Sequence, residues 1–498
     1  MLIKRALIVG CFIALLAPGV SSAAPTAKLS GDGFTIKEGV TYEILAQINA
    51  EKGKIKSGHL AFRLEAVNNE DLKKLCSAFP GMTGLVIQKS KEVTTLAPIA
   101  ELKELRLFQI ENIAATDVAD HLPASPEMLT LRIETAFKAP DLKWISAMTK
   151  LTSLTVNNRT GGELRSLEGL PSLPGITSTV FSGEGMKPAD LTPLAASMPN
   201  LKTLKMTGAT LPDLTPLGTL ANLEVLDFYG VTVKDFSPLA ACPKLKQLTY
   251  YAVKDANFSS LGALTQIQEL KGGLTKLVDI SWVENLPNLK KFDVFAEYVT
   301  DYRPLTKTNI EEFQIWNMRS PVGDMGFLGE IKSLKKLTIW NMDDVTNVAP
   351  LAALSELKEL HLKDLNVKSG EAVDISFIAE LPALTKLEIS KSKIAKFDTL
   401  ASTKALEQIR LAEIDTIDCT VLGKMPALKT LELYKIEAAN LEGLAASATL
   451  EGITLRDPIN MPSLAPLTKI PNLKRVSGVK GKFPEDQLTA FPQTVKIN

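Results

Sequence analysis

Apolar residues recur along this sequence in a fixed pattern, L-x-x-L-x-L. Clear copies read LKTLKM from Leu201, LEVLDF from Leu223 and LKTLEL from Leu428, and from Leu201 to Leu473 successive copies start 21 to 27 residues apart. Weaker copies start upstream at Met82, Leu102, Met128, Leu151 and Leu173. These eighteen copies indicate an array of structural repeats, rather than the three or four domains that the length alone would suggest.

Each repeat divides into a strand and a capped turn. Positions four to six of the motif alternate between apolar and polar residues, as a strand with one buried face requires. A second motif follows, written D-L-T-P-L from Asp213 and D-F-S-P-L from Asp235, and its first position holds Asp, Asn, Ser or Thr in fifteen of seventeen repeats. Such side chains cap the free N–H groups at a helix start, and a proline three residues later suits a first helical turn.

A unit of about 22 residues cannot bury its apolar face alone, so the repeats must stack. L-x-x-L-x-L followed by D-L-x-P-L-A resembles the leucine-rich repeat of the internalin-type bacterial subfamily, over roughly residues 82–498. The resemblance implies an α/β repeat solenoid, a horseshoe or arc with a parallel concave β-sheet and short helical or 3-10 segments on the convex side.

One column departs from the internalin pattern. The subfamily usually places asparagine at the ninth position of the repeat, where its side chain bonds neighbouring backbone. Here that position holds mostly apolar residues, for example Ala209, Val231, Met342 and Ile436. We therefore interpret the chain as a divergent, internalin-like protein without the asparagine ladder.

The two ends lack the repeat. Lys4 and Arg5, the apolar run 6–16 and the small residues 21–24 predict a signal peptide at 1–23, hence export to the periplasm, the cell surface or the medium. We expect an N-terminal cap at 24–81, with a strand-rich lid over 24–58, a solenoid of about 18 repeats at 82–480 and a C-terminal cap at 481–498. No second apolar run follows the signal, so we expect no transmembrane segment.

Composition excludes several classes of function. Fifty-six basic residues balance 56 acidic ones, which argues against a nucleic-acid-binding face. His59, His121 and His361 are far apart, and no catalytic or phosphate-binding motif appears. The aspartate column suggests calcium as an alternative, but its fixed place before a proline turn favours capping. We therefore expect no catalytic residues, no metal and no cofactor, with Cys76, Cys242 and Cys419 buried in the core.

The seventh position of the repeat points outward from the strand and carries the candidate site. Five of six consecutive repeats have an aromatic residue there, and the neighbouring outward positions are polar. The predicted ligand-binding residues, expected to form a continuous exposed strip, are Tyr229, Tyr251, Phe295, Trp316 and Trp340. Aromatic anchors with a polar border are typical of interfaces, whereas the alternative is that the rings pack on one another and only stiffen the sheet.

Longer repeats place extra residues after their strands, at 108–116, 182–189, 317–323 and 368–373. Insertions on one side of a solenoid often mark its binding face. These patterns predict an exported, non-enzymatic recognition scaffold that binds an extracellular or periplasmic protein, or a glycan, along its concave face. The alternative is a structural or self-associating protein of the cell envelope.

Overall fold

The computed structural model describes residues 27–498, apart from 32, 56, 184–189, 274–275, 296–297, 317–323, 344 and 462. The chain divides into two units, Met1–Asn257 and Phe258–Asn498. The expected signal peptide lies outside the described residues, as do most of the insertion at 182–189 and all of that at 317–323.

The first unit contributes eleven strands from its described residues to the main sheet. The first two strands pair antiparallel, and from the second strand onward each strand pairs in parallel with the next. The strands are Ala27–Ser30, Gly33–Lys37, Ala61–Glu65, Gly84–Gln88, Leu107–Glu111, Thr130–Glu134, Ser153–Asn157, Ser178–Ser182, Thr203–Thr207, Val225–Tyr229 and Gln247–Tyr251. Two short strands, Thr210–Leu211 and Thr232–Val233, form a separate parallel pair.

The second unit also contributes eleven strands from its described part, all paired in parallel with their neighbours. They are Glu269–Gly273, Lys291–Val294, Glu312–Trp316, Lys336–Met342, Glu359–Leu365, Lys386–Ser390, Gln408–Ala412, Thr430–Tyr434, Gly452–Arg456, Arg475–Ser477 and Lys496–Ile497. Separate short pairs join Val373–Asp374 to Ile394–Ala395 and Ile417–Asp418 to Ala438–Ala439.

Short helices connect the strands. The α-helices are Tyr42–Glu51, Asn69–Ala78, Val118–His121, Thr192–Ser197, Cys419–Gly423 and Glu485–Thr489. The 3-10 helices are Lys52–Lys54, Ala97–Glu101, Lys143–Ile145, Thr215–Thr219, Ser237–Ala241, Phe258–Ala263, Ser281–Asn285, Arg303–Lys307, Gly326–Glu330, Ala349–Ala353, Ser376–Glu380, Phe397–Ser402, Leu441–Ala446 and Ala465–Lys469. The predicted fold class, a parallel sheet with short helical or 3-10 connections, is confirmed.

The register explains the repeating core. Equivalent positions of successive repeats pair, so that Leu226 lies between Leu204 and Leu248 on the neighbouring strands. All three leucines are fully buried, because the fourth and sixth positions of each repeat point to the same side of the sheet. The core is therefore built from columns of identical repeat positions.

The ninth position, where internalins carry asparagine, is filled by apolar side chains that join this core, as at Val231 and Met342. A few buried polar side chains bond the preceding repeat instead. Asn158 Oδ1 accepts from the Phe137 N–H at 3.1 Å, and Asn366 Oδ1 accepts from the Val345 N–H at 2.7 Å. Such bonds satisfy buried backbone donors. Asparagine side chains therefore still accept hydrogen bonds from buried backbone here, but at isolated positions and not in a continuous column.

The capping prediction is confirmed at the level of individual bonds. The Thr215 N–H, at the first residue of its 3-10 helix, donates to Asp213 Oδ1 at 2.8 Å. The same contact, from the residue two positions later, occurs at Asp190, Asp235, Asp279, Asp301, Asp324, Asp374 and Asp418. In most of these repeats the carboxylate stands one residue before the formal N-cap and satisfies the first helical N–H group.

The N-terminal segment differs from the expected strand-rich lid. A hairpin, Ala27–Ser30 with Gly33–Lys37, is followed by the ten-residue helix Tyr42–Glu51, whose start is capped by the Thr41 hydroxyl. Gly33–Lys37 already pairs in parallel with Ala61–Glu65. The repeating architecture thus begins before the L-x-x-L-x-L motif becomes recognisable, because a longer helix takes the place of the proline turn.

Candidate ligand-binding face

We call the side of each unit's main sheet that is formed by the third, fifth and seventh repeat positions the polar face. Strand alternation directs these side chains away from the core. The five predicted site residues all occupy the seventh position, three in the second unit and two in the first.

In the first unit, Tyr229 and Tyr251 face each other on adjacent strands. They are partners in the sheet register, and their rings stack at a centroid distance of 5.6 Å with 20° between the planes. Both are half-buried. The Lys205 ammonium lies 4.9 Å from the Tyr229 ring centroid, a cation–π contact. Burial, with the nearby Asp227 carboxylate, raises the pKa of the Tyr229 phenol.

In the second unit, Phe295, Trp316 and Trp340 form a run of rings. The centroids of Phe295 and Trp316 are 4.4 Å apart, and those of Trp316 and Trp340 are 5.0 Å apart with nearly parallel planes. Trp316 and Trp340 are half-buried, whereas Phe295 is only 6% exposed. The expectation that Phe295 belongs to an exposed strip is therefore wrong: the residue is buried, and its ring is tilted by 45° against that of Trp316.

The two indole N–H groups differ in their partners. Trp340 Nε1 donates to Asp364 Oδ2 at 2.7 Å, and Asp364 lies in the last part of the neighbouring strand. Trp316 Nε1 is buried and has no hydrogen-bond partner among the described residues. Trp340 is thus fixed by a polar contact, while Trp316 is held by the two rings on either side of it.

A charged cluster that the repeat pattern did not reveal lies on the same polar face. Glu388 accepts ion-pair contacts from His361 Nδ1 at 2.9 Å, Lys363 Nζ at 3.0 Å and an Arg410 guanidinium nitrogen at 3.3 Å. The hydrogen bond from His361, with that from Lys363, lowers the pKa of the Glu388 carboxyl to about 2, against the opposing effect of burial. The cluster forms because the strand register places fifth and seventh positions of adjacent strands side by side. The pattern within a single repeat does not show which residues become neighbours in this way.

The other chemically reactive groups are core elements. Cys76, Cys242 and Cys419 are buried, as predicted, and burial raises the pKa of their thiols to about 12, about 11 and about 12.

Within the described ranges, no group of three or more acidic, histidine or cysteine side chains is placed to hold a metal ion. None of the helices in those ranges combines the length and hydrophobicity that crossing a bilayer requires.

Several solved structures are similar to this chain. An internalin from Listeria monocytogenes is 22% identical over 61% of this chain and 87% of its own, with a TM-score of 0.48. A leucine-rich-repeat protein from Leptospira interrogans is 16% identical over 92% of each chain, with a TM-score of 0.36. The functional domain of a second Listeria monocytogenes internalin is 15% identical over 66% of this chain and 73% of its own, with a TM-score of 0.40.

The family model described as a leucine-rich repeat region matches residues 195–477, more than half of the chain. That range holds the most regular L-x-x-L-x-L motifs, the in-register core columns and most of the aspartate-capped turns. Sequence pattern, structure and family model agree, and the chain belongs to the leucine-rich-repeat family.

Proposed function

We propose that this protein is an exported, non-enzymatic recognition scaffold that binds a protein or a glycan on its polar face. Leucine-rich-repeat arrays present extended binding surfaces because each repeat adds one strand's outward side chains to a common sheet. The signal-like N-terminus supports a ligand outside the cytoplasm. The absence of a recognisable catalytic motif in the sequence supports binding rather than catalysis.

The observation that carries the proposal is the half-buried tryptophan pair, Trp316 and Trp340, in the second unit. Their ring faces stack on each other, yet both residues keep part of their surface in solvent. The polar face beside them carries Lys336, Glu359 and Lys363, which engage in ion pairs. Rigid aromatic anchors within a polar border are the usual energetic centre of an interface.

Binding measurements with the full chain test this proposal. The chain is screened against a glycan array and against extracellular proteins, and the hits are titrated with Trp316→Ala, Trp340→Ala and the double variant. Each tryptophan should contribute about 2 kcal/mol of binding free energy, as buried aromatic anchors do. Tyr42→Ala is the matched control, since Tyr42 is an aromatic residue that is 79% exposed and belongs to the helix Tyr42–Glu51, not to a strand of the main sheet.

Two results would contradict the proposal. The first is unchanged affinity of both tryptophan variants, together with a lowered melting temperature, which would make the rings packing elements only. The second is concentration-dependent self-association in analytical ultracentrifugation that the double variant abolishes, which would instead favour the structural, self-associating alternative.

A further inference from the structure

The first unit contains a recess in the polar face, well separated in sequence from the tryptophan pair. Its volume is about 580 Å³, and its lining includes Arg132, Arg159 and Lys205. We call it the basic recess. Its lining residues come from repeats that precede the aromatic seventh positions, so the aromatic pattern did not indicate it.

Side-chain size along two rows of the sheet explains why the recess exists. The register aligns Arg132, Thr155, Val180 and Lys205 on four successive strands. It places the start of the third of these repeats at Ile176 and not at Leu173 as the sequence suggested, so all four residues are fifth positions. It aligns the seventh positions as Glu134, Asn157, Ser182 and Thr207. Short side chains on the two middle strands therefore leave a gap between long ones. The two outer strands are three strand spacings apart, about 14 Å between their backbones.

The charges around the gap are unequal. Glu134 forms ion pairs with Arg132 and, at 3.8 Å, with Arg159. The Glu134 side chain is only 12% exposed, while those of Arg132 and Arg159 are 50% and 41% exposed. The carboxylate thus lies beneath two guanidinium groups, each of which has five N–H donors and keeps donors directed to solvent.

Lys205 supplies the third positive charge at the opposite border. Its ammonium rests over the Tyr229 ring, and among the described residues it forms no ion pair within 4.0 Å, not even with its register neighbour Asp227. The described residues that line the recess include three cations and one carboxylate, so together they carry a net positive charge.

We propose that the basic recess is a binding subsite for an acidic polysaccharide segment. Its carboxylate or sulfate groups would meet the three cations, and its hydroxyl groups would meet the short polar side chains between them. Thr155, Asn157 and Ser182 supply both donors and acceptors, which a polyhydroxylated ligand uses. The inference rests on the proposed function as a recognition scaffold and names the ligand class for one part of it.

The composition of the lining favours a polysaccharide over other anions. Among the described residues that line the recess, Val180 is the one apolar side chain longer than a methyl group, so an acidic peptide would find few pockets for anchoring side chains. Single-stranded nucleic acid is bound mainly through stacking on aromatic rings, and none of the lining residues that the structure describes is aromatic.

Titration of the full chain with four polymers tests the subsite. Polygalacturonate carries carboxylates, dextran sulfate carries sulfates, dextran is neutral, and poly-glutamate is an acidic peptide. We expect binding of at least one acidic polysaccharide that weakens as salt screens the charges, and no binding of dextran. The stronger of the two acidic polymers identifies which acidic group the subsite takes.

Variants place the binding in the recess. Arg159→Gln and Lys205→Gln should each weaken binding about tenfold, since each removes a charge-assisted hydrogen bond to the ligand. Glu134→Gln should strengthen it several-fold, because the isosteric amide releases the two guanidinium groups. Lys103→Gln is the matched control, as Lys103 is an exposed cation of the same unit outside the recess. Melting temperatures verify that each variant is folded.

The inference is overturned if neither acidic polysaccharide binds, if poly-glutamate binds as tightly as they do, or if Lys103→Gln weakens binding as much as Arg159→Gln. A fall in affinity for Glu134→Gln would equally overturn it. Trp316→Ala should leave the acidic polysaccharide bound. If a tryptophan-dependent ligand is found while both acidic polysaccharides fail, the recess inference is lost and the proposed scaffold function stands.

Discussion

The indole rings of Trp316 and Trp340 lie 5.0 Å apart, centroid to centroid, with 3° between their planes. The two residues are register partners on adjacent parallel strands, and strands in a sheet are about 4.8 Å apart. An aromatic residue repeated at one repeat position therefore stacks on its neighbour as a consequence of the fold. Packing between rings and exposure to a ligand are consequently compatible: both tryptophans stack and both retain exposed surface.

The two tryptophans should respond differently to the loss of the indole nitrogen. Trp340→Phe removes the hydrogen bond to Asp364, whereas Trp316→Phe removes an N–H group that has no partner among the described residues. Because the lost ring area is similar, Trp340→Phe should lower the free energy of unfolding by about 1 kcal/mol more than Trp316→Phe. Denaturant unfolding of both variants measures the difference, and equal losses would show that the Asp364 contact is not stabilising.

The fold was predictable because one signal repeats. Each copy of L-x-x-L-x-L and of the D-x-x-P turn is weak alone, but the constant spacing makes the copies reinforce one another. The helix Tyr42–Glu51 was missed because its segment lacks both motifs. The buried hydrogen bond that the Val345 N–H donates to Asn366 Oδ1 was not predictable from the ninth position of the repeat, since neither residue occupies that position.

The candidate site was only partly predictable. The seventh-position pattern identified the Trp316–Trp340 pair, but it could not show that Phe295 is buried, because the repeat position fixes the side of the sheet and not the exposure of each side chain. The Glu388 cluster and the basic recess depend on which side chains the register places side by side. Comparing the third, fifth and seventh positions of neighbouring repeats side by side would have indicated the Glu388 cluster. The basic recess also required the repeat that the sequence places at Leu173 to start at Ile176, which only the strand register shows.

Each aspartate that caps a turn should stabilise the helix start of its own repeat. Asp213→Ala removes the acceptor for the Thr215 N–H and should lower the free energy of unfolding. Asp213→Asn retains an acceptor oxygen and should recover most of that loss. Thermal and denaturant unfolding test the pair, and a loss of ligand binding without a change in stability would instead make this column a binding site.

The three buried thiols should resist modification in the folded protein. Burial raises the pKa of Cys76 and Cys419 to about 12, so the reactive thiolate is scarce at pH 8. Iodoacetamide should therefore label native protein far more slowly than protein unfolded in guanidinium chloride, with mass spectrometry locating the label. Rapid native labelling at all three cysteines would contradict their assignment to the core.

Glu388 should make stability depend on pH over an acidic range. Its folded-state pKa is about 2, below the value of about 4.3 expected in the unfolded chain. As the pH falls through this interval the unfolded chain takes up the proton first, so the stabilisation is complete above about pH 4.5 and is lost towards pH 2.

Glu388→Gln tests this dependence. The variant should be less stable than the parent by about 2 kcal/mol at pH 7, after allowance for the solvent that reaches the cluster, and the difference should shrink as the pH approaches 2. Glu104→Gln, at an exposed position of the first unit, should show no such trend. A difference that stays constant from pH 7 to pH 2 would mean that the ion pairs to His361, Lys363 and Arg410 contribute nothing to stability.

Gly273 interrupts the aromatic column, and the structure gives the reason. Its φ angle is +154°, and a Cβ atom at this position would lie 2.6 Å from Cβ of Phe295. Gly273→Ala should therefore lower the free energy of unfolding by about 2 kcal/mol, through backbone strain and overpacking against Phe295.

Gly175→Ala is the matched control, since nothing lies within 4 Å of the added methyl group there and the backbone is not left-handed. That substitution should be neutral or stabilise by about 0.5 kcal/mol, because alanine reduces the entropy of the unfolded chain. If crowding excludes a side chain at Gly273, denaturant unfolding should show a lower free energy of unfolding for Gly273→Ala and no loss for Gly175→Ala. A Gly273→Ala protein as stable as the parent would show that an aromatic ring is absent there for another reason than space.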